Sequence, residues 1–372
     1  MTGFPTMGGS GLIATRLGIE LANIGHEVHF LFYKKPFFLK DFDKLDNITF
    51  HLIERPSYAL FKEIGAPYTI QASAKIAEIV RNHHIDIMHS HYAIPHAVVS
   101  YLAKKMSGIR NVVTTHGSDT HTLGKDPSYN ETLQLAIQDM NGITSVSNFL
   151  ARETEQVFNL KKNSVKTIYN FINTNEFYPM SEERELSIMH ASNFRPVKNV
   201  PYMIQIFAEL ADDFPKWKLN LVGNGPDSPV CQRVARELKI KDRVNFLGAR
   251  KDIPKLLSKA SILASTSRIE SFGLTIAEAM ATETAVLASS VGGIPEICKH
   301  GESGLLFDHN SKSDAVEQLA KLMSNEQLRQ KLGKKGREVI QEKFSTDKII
   351  KEYENIYDSI LCLDSVDCRV KC

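Results

Sequence analysis

The chain reads as an α/β protein of two Rossmann-like, doubly wound domains, and three observations predict this. Short apolar runs alternate with helical periodicities from residue 12 to residue 361, and such alternation belongs to parallel sheets flanked by helices. At 372 residues the chain is longer than one hydrophobic core ordinarily supports, roughly 250–300 residues. Glycine-bearing turns also follow several of the apolar runs, at junctions where a parallel sheet presents backbone amides to an anion.

Taken in order, GGSG at 8–11 opens a helix with Leu12, Ile13, Leu17 and Leu21 on one side and Gly25 as its stop. A buried strand ordinarily feeds such a loop, and only residues 1–7 precede it, so the first strand of the sheet is expected to be missing. Further strands are expected at 26–32, 85–88, 112–113, 143–146 and 165–169. Helices are expected at 71–83, 129–140 and 148–158, with another beginning at 93. The turn-rich NTNEFYPM at 173–180 reads as a linker.

A second series follows, with strands at 187–190, 219–222, 244–247, 261–265 and 285–288 and helices at 202–210, 274–280, 313–322 and 325–342. Turns at 223–226 and 291–296 each start a helix, the latter with Pro295 near its first position. The expected layout is a first domain over 1–172, a second over 173–343, an amphipathic helix over 344–361 and a tail over 362–372.

Composition narrows the function. Lys and Arg number 45 against 43 Asp and Glu, with no basic block, which argues against a nucleic-acid partner. No apolar run approaches the roughly 20 residues of a membrane-spanning helix, and the start MTGFPTMGGSG lacks an export pattern, so a cytoplasmic protein without a membrane partner is expected. The five cysteines, three of them in the last eleven residues, have no zinc-pair spacing and read as free thiols.

The chemistry is expected beyond the carboxyl ends of the strands. His91, Tyr92, Thr115 and His116 fall there in the first domain. His89, His91 and His116 raise a zinc reading, but no carboxylate pattern completes an open catalytic site, and no metal is expected. In the second domain, Arg195 and Lys198 precede a helix, where a planar fork and a point charge suit a diphosphate. Glu270 and Glu278, with seven residues between them, flank a turn in which Gly273 lets the backbone approach a ligand. A solvated loop and a solvated helix face place glutamates in the same way, and Arg-x-x-Lys is also an ordinary solvated pair.

The stretch SRIESFGLTIAEAMA at 267–281 closely resembles the Glu-x7-Glu signature of retaining glycosyltransferases of the GT-B fold, with SFGL at 271–274 and EAM at 278–280 matching letter by letter. That resemblance implies two Rossmann-like domains with a cleft between them, a last helix that crosses back to the first domain, and a metal-free transfer with no cofactor. It implies catalytic roles for His116, Arg195, Lys198 and Glu270, with His116 on the donor sugar and Glu270 on sugar hydroxyls. Donor binding falls to Gly9, Asn170, Gly223, Gly225, Phe272, Gly273, Leu274 and Glu278, the last of these on a ribose. Ser10, Gly11, Tyr92 and Thr115 are expected to hold the acceptor.

GGSG, HYAIPHA at 91–97, THGSD at 115–119, YNFI at 169–172 and SNFRPVK at 192–198 look like one subgroup, implying UDP-N-acetylglucosamine as donor and L-malate as acceptor. The sequence departs from the family at 280–286, where MATETAV replaces the usual Cys-Gly-Val-Pro after Met-Ala. Other readings remain open: a lipid or polysaccharide acceptor met by the loop from Lys34 to Lys40, or a nucleotide-sugar binding protein without turnover. A homo-oligomer is compatible with the sequence. A nicotinamide dehydrogenase lacks its fingerprint here, because no GxGxxG is followed by an acidic residue about 20 positions later.

Overall fold

The computed structural model describes residues 9–33, 46–53, 67–180 and 183–362. It divides into two units, one of residues 1–169 with 347–372 and one of residues 170–346. Every pairing between described strands is parallel.

The first unit runs α1 (Gly9–Asn23), β1 (Val28–Phe32), β2 (Ile48–Leu52), α2 (Tyr68–His83), β3 (Ile87–His91), α3 (Ala93–Ser107) and β4 (Arg110–Thr115). It continues with α4 (Ser118–His121), α5 (Pro127–Gln138), β5 (Gly142–Ser145), α6 (Asn148–Val157) and β6 (Lys166–Thr167). Strands β3 to β6 form one sheet in chain order, and β1 and β2 form another. The expected gap before α1 and the loop from Lys34 to Lys40 both lie outside the described residues.

The helix boundaries have local causes. Gly25, at φ +104°, turns the chain out of α1. Asp126 accepts a hydrogen bond from Ser128 N at the start of α5, and Ser147 one from Leu150 N at the start of α6. Helix α1 takes in residues that the sequence predicts as a loop ahead of it. Gly9, Ser10 and Gly11 are helical, and the Gly11 carbonyl accepts from Thr15 Oγ1 at 2.8 Å.

The second unit comprises β7 (Glu185–Ala191), α7 (Val200–Ala208), β8 (Lys218–Val222), α8 (Ser228–Glu237), β9 (Val244–Gly248), α9 (Ile253–Lys259) and β10 (Ala260–Ser265). Then come α10 (Leu274–Ala281), β11 (Ala285–Ser289), α11 (Ile294–Ile297), β12 (Leu305–Phe307), α12 (Lys312–Ser324) and α13 (Glu326–Lys343). Its sheet has the order β12-β11-β10-β7-β8-β9. Counted from β7, this is the doubly wound dinucleotide-binding order, in which the direction of winding reverses between β7 and β10. The apolar runs bury completely: Ile188, Leu219, Leu221, Ile262 and Leu287 meet Met203, Ile204 and Phe207 of α7 in one core.

The departure at 280–286 is packed in its own way. Arg184 donates to the Ala260 carbonyl, Thr284 Oγ1 and the Thr282 carbonyl at 2.7–2.9 Å, holding the Thr-Glu-Thr turn between α10 and β11.

The last helix, α14 (Thr346–Leu361), returns to the first unit. Tyr357 Oη and His89 Nδ1 share a hydrogen bond of 2.7 Å. Arg110 donates to the carbonyls of Ile360 and Leu361. Ile360 presses on Gly142, where a Cβ would lie 2.6 Å from its Cδ1.

Candidate active site

Two loops leave the sheet of the second unit at the reversal of winding, one after β7 and one after β10, and they are tied together by backbone. Arg268 N donates to the Val197 carbonyl at 2.8 Å. Thr266 Oγ1 donates to the carbonyls of Lys198 and Asn199 at 3.2 and 3.0 Å. The Lys198 ammonium and the Glu270 carboxylate, both largely buried, form an ion pair across the two loops. Residues 72 positions apart in sequence thus meet at the place where parallel sheets hold their ligands.

Behind this pair the backbone leaves no room for side chains. A Cβ on Gly292 would lie 2.0 Å from the Glu270 carbonyl oxygen, and Gly293 N donates to that same oxygen at 2.9 Å. Gly223 and Gly225 pack as closely, their hypothetical Cβ atoms 1.8 and 2.0 Å from the carbonyl oxygens of Ser192 and Asn193. These two glycines therefore set how near the turn after β8 comes to the Arg195 loop. Gly273 adopts φ +98° ahead of Leu274, the first residue of α10. Phe272 is buried against Phe344, and Glu278 is buried in α10. Arg195 is exposed. Asn170 is buried, and its Oδ1 finds no hydrogen-bond partner among the described residues.

The strand ends of the first unit assemble a histidine cluster. His91 Nδ1 and His116 Nε2 share a hydrogen bond of 3.0 Å, and His96 donates from Nδ1 to the His91 carbonyl at 2.8 Å. Burial pushes His116 down to about 3 and His91 well below the usual histidine range, so both rings are neutral near pH 7. The loop beneath is gathered by Asp119, which is fully buried and accepts from the backbone N–H groups of Ala93, His116 and Gly117 at 2.7–3.0 Å. Burial raises its carboxyl above the usual range, and these three donors oppose the rise. Tyr92 Oη shares a 2.7 Å hydrogen bond with Ser118 Oγ.

One expectation needs correction. The Thr115 hydroxyl does not face the strand-end surface: it is fully buried, hydrogen-bonded to Ser145 Oγ and, at 3.1 Å, to Thr154 Oγ1. The three strand-end histidines make the following contacts. His89 is taken up by Tyr357 and, at 2.7 Å, by Thr114 Oγ1, while His91 and His116 bond each other. The supports to which sequence reasoning gave no role are Thr266, Gly292 and Asp119; Gly292, within a Gly-Gly pair, and Asp119, at the end of THGSD, carried a signal.

Comparison with known proteins gives this geometry its meaning. The family model described as Glycosyl transferases group 1 matches residues 173–339, and that described as Glycosyltransferase Family 4 matches residues 7–176. The N-acetyl-alpha-D-glucosaminyl L-malate synthase of Bacillus anthracis is 37% identical over 373 residues, 97% of this chain and 96% of that protein. The chain belongs to the GT-B glycosyltransferases. An uncharacterised glycosyltransferase of Methanocaldococcus jannaschii is 28% identical to this glycosyltransferase, over 85% of the chain and 92% of the relative.

Solved structures agree on the fold of the glycosyltransferase. A glycosyltransferase from Rickettsia africae superposes with a TM-score of 0.81 at 20% identity, covering 98% of each chain. HepE of Anabaena, crystallised with UDP and glucose, gives 0.81 at 18% identity, covering 96% of this chain and 99% of that one. As a hexosyltransferase, the chain brings Lys198 and Glu270 together where the fold binds ligands. Among its described residues, no helix is long and apolar enough to cross a membrane.

Proposed function

We propose that this glycosyltransferase moves N-acetylglucosamine from UDP-N-acetylglucosamine to the hydroxyl of L-malate with retention at the anomeric carbon, in the cytoplasm, as the first step of bacillithiol biosynthesis. What carries the proposal is the 37% identity to the malate synthase along 97% of the chain, in a protein whose Lys198–Glu270 pair stands at the switch point. In this reading the donor diphosphate lies by Lys198 and Arg195, and the amides after Gly273 meet its oxygens. Glu270 turns from Lys198 to the sugar hydroxyls, and Glu278 accepts from the ribose.

Transfer then proceeds on one face of the sugar. The bond from C1 to the leaving phosphate oxygen breaks, the malate hydroxyl oxygen bonds to C1 on the same face, and the hydroxyl proton passes to the leaving phosphate. The cations offset the charge that develops, and no metal or cofactor takes part. Neutral His116 hydrogen-bonds the donor sugar without adding charge. Malate, a dianion, is held by the N–H groups of Gly9 to Gly11, Ser10 Oγ and Tyr92 Oη.

The test is a panel of malate, glycerate, succinate and a simple sugar, assayed by UDP release with EDTA present. Malate is expected to give the highest kcat/KM, and succinate, which lacks the reacting hydroxyl, to inhibit only. A better rate with glycerate or the sugar would overturn the acceptor assignment, and loss of all turnover in EDTA by protein that stays folded would overturn the metal-free one.

A further inference from the structure

A second cluster of imidazoles lies in the first unit, away from the strand ends just described. His29 is the second residue of β1, His51 the fourth of β2 and His83 the last of α2. The parallel register sets Leu31 opposite His51, so His29 and His51 share one side of the two-stranded sheet. Phe30, Phe32 and Phe50 stack on the other. Helix α2 packs on the histidine side through Ile76 and Ile79, which meet Leu31 and Ile53. Its last turn thereby delivers His83, with ring centroids 4.6 Å from His29 and 5.6 Å from His51.

We propose that His29, His51 and His83 bind one divalent cation of the zinc class. One ligand atom from each lies within 4.8 Å of the other two. A tetrahedral centre with metal–nitrogen bonds of about 2.0–2.1 Å holds its nitrogens roughly 3.4 Å apart, so small ring rotations close the site. Three imidazoles with a fourth position open to solvent suit zinc, cobalt, nickel or copper better than magnesium or calcium, which prefer oxygen ligands.

The surroundings are those of a ligand set. His29 Nε2 meets the Glu27 carboxylate at 2.9 Å, the outer contact that fixes the tautomer of a metal-binding histidine and leaves Nδ1 to face inward. That Nδ1 lies 2.9 Å from His51 Nε2, the edge a cation would bridge. On binding, the proton of His51 Nε2 moves to Nδ1, and the ring stays neutral. Of the other charges near the cluster, Lys75 and Glu78 are paired with each other at 2.7 Å. A cation at the end of α2 also meets the negative pole of the helix.

The site joins β1, β2 and α2. The cation is assigned a holding role between these three elements, on residues distinct from the His91–His116 cluster at the strand ends.

The test is titration of the full chain with cobalt(II), followed by absorption, with zinc as competitor and thermal melting in parallel. Expected are one cobalt per chain with tetrahedral bands and displacement by zinc. His83→Ala, at an exposed position that leaves the fold intact, is expected to weaken binding by more than about a hundredfold, and Glu27→Gln by about tenfold. Zinc is expected to raise the Tm of the wild type and not that of His83→Ala. Absence of stoichiometric binding would overturn the proposal. So would unchanged affinity in His83→Ala, or a thiolate-to-cobalt charge-transfer band showing that cysteines are the ligands.

Discussion

Lys198 and Glu270 each supply the other's counter-charge until a diphosphate competes for the ammonium. Lys198→Ala removes that cation and leaves a largely buried carboxylate without it, so both donor binding and transfer suffer. The expected loss in kcat is about a hundredfold, roughly 3 kcal/mol, with a similar loss for Arg195→Ala if its guanidinium reaches the same phosphates. Steady-state UDP release measures both, and near-normal turnover in Lys198→Ala would remove the pair from the mechanism. The buried histidines give a second prediction. Burial pushes His190 down to about 4, and His89, His91, His96 and His116 are also lowered by burial. Below about pH 6.5 the unfolded chain takes up protons that the folded one refuses, so stability falls with pH. His190 alone contributes a slope of roughly 1.4 kcal/mol per pH unit between about 6.5 and its folded value. Melting at pH 7, 6 and 5 is expected to show a steadily falling Tm, and a flat profile would mean these rings are protonated in the folded state.

At the scale of elements, the two loops of the second unit depend on the turn after β11. Gly292 sits at φ +57° with no space for a side chain beside the Glu270 carbonyl. Gly292→Ala is therefore expected to cost at least about 1–3 kcal/mol and to slow transfer by displacing Glu270; urea unfolding with UDP-release kinetics checks both. Much of this architecture is legible in sequence. Strands β10 and β11 are covered on both faces and so appear as largely apolar runs without alternation. The half-exposed β2, the three-residue β12 and the short α9 carry no such signal. Lys198 and Glu270 can be read because their chemistry is in their side chains. Thr266, Gly292 and Asp119 act through contacts made only after folding, and Thr115 is misread because both faces of β4 are buried, so alternation does not tell which way a hydroxyl points.

For the molecule as a whole, α14 completes the first unit from the far end of the chain. Tyr357→Phe leaves His89 Nδ1 buried without its partner and is expected to cost about 1–3 kcal/mol. Hydrogen exchange resolved by segment is expected to show the loss in β3 and β4 and not in β7 to β12; a loss spread evenly over both units would mean that α14 does not belong to the first alone. The same connectivity governs how the protein is made. Domains ordinarily fold in the order in which the ribosome delivers them. Here the residues that cover His89 and Gly142 are translated after the entire 170–346 unit. The unit encoded second is thus the first whose sequence is complete, and the one encoded first waits for the last helix to leave the exit tunnel.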